Sequence, residues 1–124
     1  MIRDQMNNHR DSHGNTILQV AAWYDYLEMV EFLIANGADD RREGTYTTAL
    51  ELICLYSKTI STDNTQRIIK LLLAKADPTE VDTLLQFLLK NPEDYPGAYE
   101  AFLAIVQEFR PQQQFLDNDG ANEL

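Results

Sequence analysis

Cysteine is nearly absent: Cys54 stands alone among 124 residues. That excludes an internal disulfide framework and suits a reducing compartment. Nothing approaches the roughly 18 consecutive apolar residues of a membrane-spanning helix. The opening residues Met1, Ile2, Arg3, Asp4 and Gln5 lack the apolar centre of a secretion signal. The expectation is a cytoplasmic protein with no membrane partner. Histidine is scarce too. His9 and His13 lie four apart in a stretch read as hairpin rather than helix, with no further His or Cys cluster, so no metal site is expected.

Basic residues are the other shortage. Ten Lys and Arg face twenty Asp and Glu, giving a formal net charge of −10. The imbalance is uneven. Residues 1–76 hold ten acids and eight bases, whereas residues 77–124 hold ten acids against only Lys90 and Arg110. Nucleic-acid affinity rests on clustered Lys and Arg, so a phosphate backbone would be repelled. The acids read as a solvated face that keeps the chain soluble, or as a surface that steers a basic partner into contact.

What the chain does have is repetition. Asp11-Ser12-His13-Gly14-Asn15 signals a turn and leads into Thr16-Ile17-Leu18-Gln19-Val20-Ala21-Ala22. Leu27, Val30, Leu33 and Ile34 then recur at helical spacing, and Asn36-Gly37 provides a stop. The unit is turn, short helix, longer helix, glycine stop. Thr48-Ala49-Leu50-Glu51-Leu52-Ile53-Cys54 repeats the first helix 32 residues later, and Ile68, Ile69, Leu71, Leu72 and Leu73 repeat the second. Ala76-Asp77 follows Ala38-Asp39 by 38, so residues are inserted between the two helices of the second unit, within Ser57 to Thr65.

A period near 33 residues with a Gly-x-Thr-Pro-Leu-His-x-Ala-Ala lead resembles the ankyrin repeat. Residues 11–40 carry Gly14, Thr16, Leu18, Ala21, Ala22, Glu28, Val30, Leu33, Gly37, Ala38 and Asp39 in register, and residues 43–77 form a degraded second copy with Tyr46 at the turn glycine. The family's Pro and His sites hold Ile17 and Gln19 in the first copy, Ala49 and Glu51 in the second. Those departures predict a weaker hydrogen-bonded turn network. The resemblance implies an all-α solenoid of stacked helix pairs joined by hairpin turns.

Residues 79–110 read as a third helix pair without the turn signature. Val81, Leu84, Leu85 and Leu88 recur on one face, Asn91-Pro92 interrupts, and Ala98, Ala101, Phe102, Ile105, Val106 and Phe109 form the next face. A solenoid needs a terminal element with a polar outer side, and this acidic segment suits the role. The organisation expected is one domain over 1–110 and a disordered acidic tail over 111–124. At the other end about ten residues precede the first repeat, with Ile2 or Met6 available to cover its edge. A homodimer through that thinly covered edge is the corresponding expectation.

The resemblance implies a protein partner held by the concave face and hairpin tips. By position those places are Ser12, His13, Asn15, Trp23 and Tyr24 in the first repeat, and Gly44, Thr45, Thr47, Leu55 and Tyr56 in the second. Large aromatics on adjacent repeats are the material of binding hot spots. Tyr26 is expected to pack on the interhelix loops instead. Cys54 reads as a small core residue, not a nucleophile. Asp117-Asn118-Asp119-Gly120 lacks the remaining ligands of a calcium loop, and Glu28 and Glu31 have no partner for acid–base work. No Ser-His-Asp arrangement and no phosphate-cradling glycine loop occurs.

The expectation is a non-catalytic protein-interaction module without a cofactor. Two alternatives stand beside it. One is a small acidic inhibitor or immunity protein that blocks a basic toxin or enzyme. The other is the recognition part of a larger effector or enzyme.

Overall fold

Thr16 and Thr48 each open a short helix for the same reason. A threonine in extended conformation (φ −77° and −79°) turns its hydroxyl onto the backbone N–H three residues ahead. The residue at that third position, Gln19 or Glu51, reaches back to the threonine N–H at 2.8 or 3.0 Å. Each pair is a capping box, satisfying two backbone donors that a helix start leaves bare. The computed structural model describes residues 7, 9–40 and 47–109, and among these the regular structure is entirely helical. The helices are α1 (Ile17–Trp23), α2 (Leu27–Ala35), α3 (Ala49–Tyr56), α4 (Asp63–Leu73), α5 (Pro78–Lys90) and α6 (Ala98–Phe109).

The capping boxes correct one expectation. Gln19 and Glu51 stand where the ankyrin pattern has histidine, and the departure predicts a weaker turn network. Instead both side chains complete a cap, and Gln19 also donates from Nε2 to the Thr47 carbonyl of the next repeat. The network is rebuilt with different groups.

α2 ends where Asn36-Gly37 placed its stop. Gly37 has φ 98°, its N–H donates to the Ile34 carbonyl at 3.1 Å, and Ala38 N–H donates to Leu33 at 2.9 Å. This six-to-one, five-to-two pairing is a Schellman motif, and the left-handed position favours glycine. α5 starts at Pro78 behind Asp77, whose carboxylate accepts from Thr79 N–H at 2.9 Å. Proline at the first helical position gives up a donor that no helix would use there.

The helices stack as antiparallel pairs. α1 packs on α2 and α3, α2 on α4, and α3 on α4. Ala21 and Ala22 are buried between α1 and its neighbours, and small side chains there let the helix axes approach closely. Ile53 and Cys54 hold the equivalent places in α3. The third pair joins differently: α6 lies against α4 and α5 and reaches α3, and Phe102, fully buried, is its main plug. One core runs through all three pairs, from Leu18 and Val30 through Ile53, Ile68 and Leu72 to Val81, Leu88 and Ile105. On the far side of repeat one, Met29 and Phe32 of α2 are exposed. Ile2 and Met6, considered as cover for that edge, and the tail 111–124 lie outside the described residues.

The expected insert takes a definite form. α1 and α2 are separated by Tyr24, Asp25 and Tyr26, whereas α3 and α4 are separated by Ser57 to Thr62. Asp63, Asn64 and Thr65 are the first turn of α4, capped by the Thr62 side chain, and Thr65 is buried.

Candidate functional site

The sequence-predicted site residues fall into two groups at opposite ends of the inner helices. The first group is the hairpin before α1. Asp11 Oδ1 accepts from the N–H groups of His13 (2.8 Å) and Asn15 (3.0 Å), and these bonds hold its carboxyl below the usual range. Gly14, at φ 82°, closes the turn onto the Asp11 carbonyl, and Arg10 donates to the Gly14 carbonyl at 2.8 Å. Ser12 and His13 are thereby presented to solvent, with Asn15 and Thr47 half-buried beside them. Thr45 and Gly44 lie outside the described residues.

The second group sits at the C-terminal ends of α1 and α3. Trp23 is the last residue of α1 and Tyr24 caps it; Tyr56 is the last residue of α3. They are 47%, 61% and 53% exposed. Leu55 is only partly exposed and leans on the core. An inner helix of seven residues is about 10 Å long, so hairpin and aromatic groups do not merge into one patch.

The aromatic group extends further than the sequence reading took it. Tyr26, expected to pack on the interhelix loops, meets Tyr24 of the first loop. It is exposed, and its ring stacks on Tyr24 with centroids 5.9 Å apart. Tyr95, from the segment between α5 and α6, lies edge-on to Tyr56 at 6.1 Å and tilts against Phe87 of α5 at 5.6 Å. A hydrogen bond with Tyr56 pushes the Tyr95 phenol above its ordinary value. Phe87 was legible in principle. It follows buried Leu84 by three residues, as Tyr24 follows Ala21 and Tyr56 follows Ile53, but it lies ten residues after its N-cap where they lie eight after theirs.

These aromatics share an edge because the three interhelix loops are tied together. Asn64 Nδ2 donates to the Asp25 carbonyl at 2.9 Å and Thr65 Oγ1 donates to Asp25 Oδ1 at 2.8 Å, joining loop one to the start of α4. The Tyr56–Tyr95 contact joins loop two to loop three. Within loop two, Thr59 Oγ1 lies 2.8 Å from Thr65 Oγ1 and 3.1 Å from Ser57 Oγ, so the hydroxyls of the insert face one another and the Asp25 link.

Other polar groups are engaged structurally. Asp40 Oδ1 and Oδ2 accept from Ala49 and Leu50 N–H at 2.5 and 2.9 Å, a clamp on the start of α3. Burial raises its carboxyl to about 6 despite those bonds, with Glu51 and Glu80 adding like charge. Cys54 is buried, and desolvation pushes its thiol well above the ordinary value, so it remains protonated and unreactive. Among the described residues no group of three or more His, Cys, Asp or Glu side chains converges on a metal position. None of the described helices is long and apolar enough to cross a membrane.

Stacked antiparallel helix pairs with capping-box starts and a Schellman stop define a helical-repeat solenoid. A family model for ankyrin repeats (many copies) matches residues 7–53, which span the first repeat and the inner-helix start of the second. That stretch is similar to ankyrin repeats, which are in general protein-interaction modules and typically non-catalytic. No curated protein and no solved structure matches the chain.

Proposed function

We propose that this protein holds a protein partner without catalysing a reaction, and that the contact is made chiefly by Trp23, Tyr24 and Tyr56, with Ser12, His13, Asn15, Thr45 and Thr47 of the hairpin tips as the outlying polar contacts. The observation that carries the reading is the concentration of exposed aromatic surface on one edge. Large aromatics in a soluble domain are mostly buried, whereas here Trp23, Tyr24, Tyr26 and Tyr56 are each about half exposed. Trp and Tyr combine large apolar area with a polar donor, and they dominate hot spots for that reason. Leu55, turned partly into the core, supports Tyr56 more than it offers contact.

The test is affinity capture from the source organism with wild type and a Trp23→Ala/Tyr24→Ala variant shown by circular dichroism to fold. Loss of one partner from the variant supports the reading. Retention of the same partner by both moves recognition to another surface and overturns it.

A second reading draws on charge. Glu80, Asp82, Glu93, Asp94, Glu100 and Glu108 are exposed on the third pair and its loop, and such a face suits an inhibitor of a basic toxin or enzyme. An inhibitor of that kind associates quickly at low salt and loses on-rate steeply as salt rises. Aromatic recognition is nearly indifferent to salt, so the salt dependence of the captured complex separates the two.

A further inference from the structure

Tyr56, Tyr95 and Phe87 are one connected cluster of rings. Tyr95 stands edge-on to Tyr56, with centroids 6.1 Å apart and planes at 74°, and it tilts against Phe87 at 5.6 Å and 49°. Tyr56 and Phe87 are both exposed, so a second molecule reaches the cluster without any rearrangement. The face of an aromatic ring carries negative charge density and attracts a cation laid over it.

Further negative charge gathers at the same place. The Tyr95 phenol is pushed up first by its hydrogen bond with Tyr56, then by desolvation, and also by the neighbouring carboxylate of exposed Asp94. Glu93 and, in the first turn of α6, Glu100 are exposed as well. α3 ends at Tyr56 itself, with no basic residue in its last turn and a cap that makes one backbone bond, from Ser57 N–H to the Ile53 carbonyl. The carboxyl end of a helix carries negative partial charge, and no side chain of α3 offsets it. Two lysines stand against this. Lys90 closes α5, where it offsets that helix's own end, and Lys58 is exposed two residues past Tyr56. Glu93, Asp94, Glu100 and the bare end of α3 outweigh them.

Arginine suits such a place better than lysine. Its guanidinium is planar, stacks on an aromatic face and is more weakly hydrated than an ammonium. Its edge also presents a fork of N–H donors to a carboxylate.

We propose that the Tyr56–Tyr95–Phe87 cluster seats an arginine side chain of the partner protein, stacked on the exposed rings with its edge turned to Asp94. This rests on the reading of the aromatic edge as the partner-binding surface and names what one part of that surface takes.

The test is a titration of the full chain with blocked pentapeptides that differ only at the central residue: arginine, citrulline, lysine or trimethyllysine. Citrulline keeps the shape of arginine and removes its charge. Binding is read from the aromatic NMR signals of Tyr56, Tyr95 and Phe87, with circular dichroism showing that each variant folds. The arginine peptide should shift the Tyr56 and Tyr95 signals saturably, with affinity about fivefold or more above the lysine peptide, and the citrulline peptide should leave them in place. Asp94→Asn should weaken the arginine peptide severalfold and Tyr56→Leu should abolish its binding. Tyr56→Phe should retain it, because the cation meets the ring and not the hydroxyl. His13→Ala, in the hairpin at the other end of α1, should change nothing. Equal binding of citrulline, preference for lysine or trimethyllysine, or no saturable shift with any peptide overturns the proposal. If partner capture still depends on Trp23 and Tyr24 in that case, the aromatic edge stands and only the arginine seat falls. If the arginine peptide binds as expected while capture is indifferent to Trp23 and Tyr24, the seat stands and the wider contact falls.

Discussion

Asp25 holds a left-handed backbone conformation, φ 65°, and its carboxylate accepts a 2.8 Å hydrogen bond from the buried hydroxyl of Thr65, forty residues away. A non-glycine residue in that region is uncommon, and Asp tolerates it better than most. Together with the bond from Asn64 to the Asp25 carbonyl, it couples the end of the first inner helix to the start of the second outer helix. Thr65→Val keeps the shape and removes the donor. Asp25 loses a partner in a half-buried site, so the variant is expected to lose about 1–3 kcal/mol in urea unfolding. Asp25→Asn keeps an acceptor and should lose less.

Asp40 makes stability depend on pH in an unusual direction. Its carboxyl titrates near 6 in the folded chain against an ordinary 3.8. A raised carboxyl means that the folded state binds the proton more tightly, so ionised Asp40 subtracts stability above about pH 6. That cost is relieved as pH falls from about 6 to 4. Comparing wild type with Asp40→Asn between pH 7.5 and 4.5 isolates the effect from Glu51, Glu80 and the other acids. The wild type should gain on the variant as pH falls, by about 2 kcal/mol over that range. If instead it loses ground, the bonds from Ala49 and Leu50 outweigh the desolvation.

The repeat unit was open to reading from Thr16, Leu18, Ala21, Val30 and Gly37 because each does a job that few residue types can do: a cap, a core contact, a close approach, a left-handed turn. The third pair was legible from helical spacing alone, but its mode of attachment through α6 was not, since periodicity reports a face and not what the face meets. At the candidate site the sequence located Trp23, Tyr24 and Tyr56. It gave Tyr26 only a packing role, whereas Tyr26 stacks on Tyr24 across the turn at Asp25 and stays exposed. It passed over Tyr95, which comes to Tyr56 only through the tertiary path of loop three. The family pattern points to histidine at positions 19 and 51, whereas a Thr-x-x-Gln/Glu box serves the same helix start with different groups.

Those caps can be measured. Thr48→Ala removes the hydroxyl that accepts from Glu51 N–H and should cost about 1 kcal/mol. Gln19→Ala removes its half of the other box together with the bond to the Thr47 carbonyl that ties one repeat to the next, and should cost about 1–3 kcal/mol. Equilibrium unfolding of the two single variants measures both losses. No loss for Gln19→Ala would mean that neither the box nor the inter-repeat bond contributes.

Cys54 provides a probe that needs no substitution. Its thiol is buried and held protonated by desolvation, so a thiol reagent at neutral pH should react only through openings of the domain. The rate should be far below that of the urea-unfolded chain and should rise with Thr65→Val, which loosens the neighbouring pair. A rate near the unfolded value would place the thiol at an accessible surface and remove the case for a structural role.

The small residues Ala21 and Ala22 let α1 lie close to its neighbours, and α1 carries Trp23 at its end. Both are buried in a helix that packs on α2 and α3, and a larger side chain forces the axes apart at a cost of about 1–3 kcal/mol. In Ala21→Leu the displaced end of α1 carries Trp23, Tyr24 and Asp25 with it, stretching the link from Asp25 to Thr65. Stability should fall, and Trp23 fluorescence should shift even though Trp23 itself is untouched. Partner affinity should fall by more than in Leu89→Ala, which alters an exposed residue of α5 away from that seam. If Ala21→Leu binds as wild type does, spacing between the rings is not what the partner reads, and each aromatic acts alone.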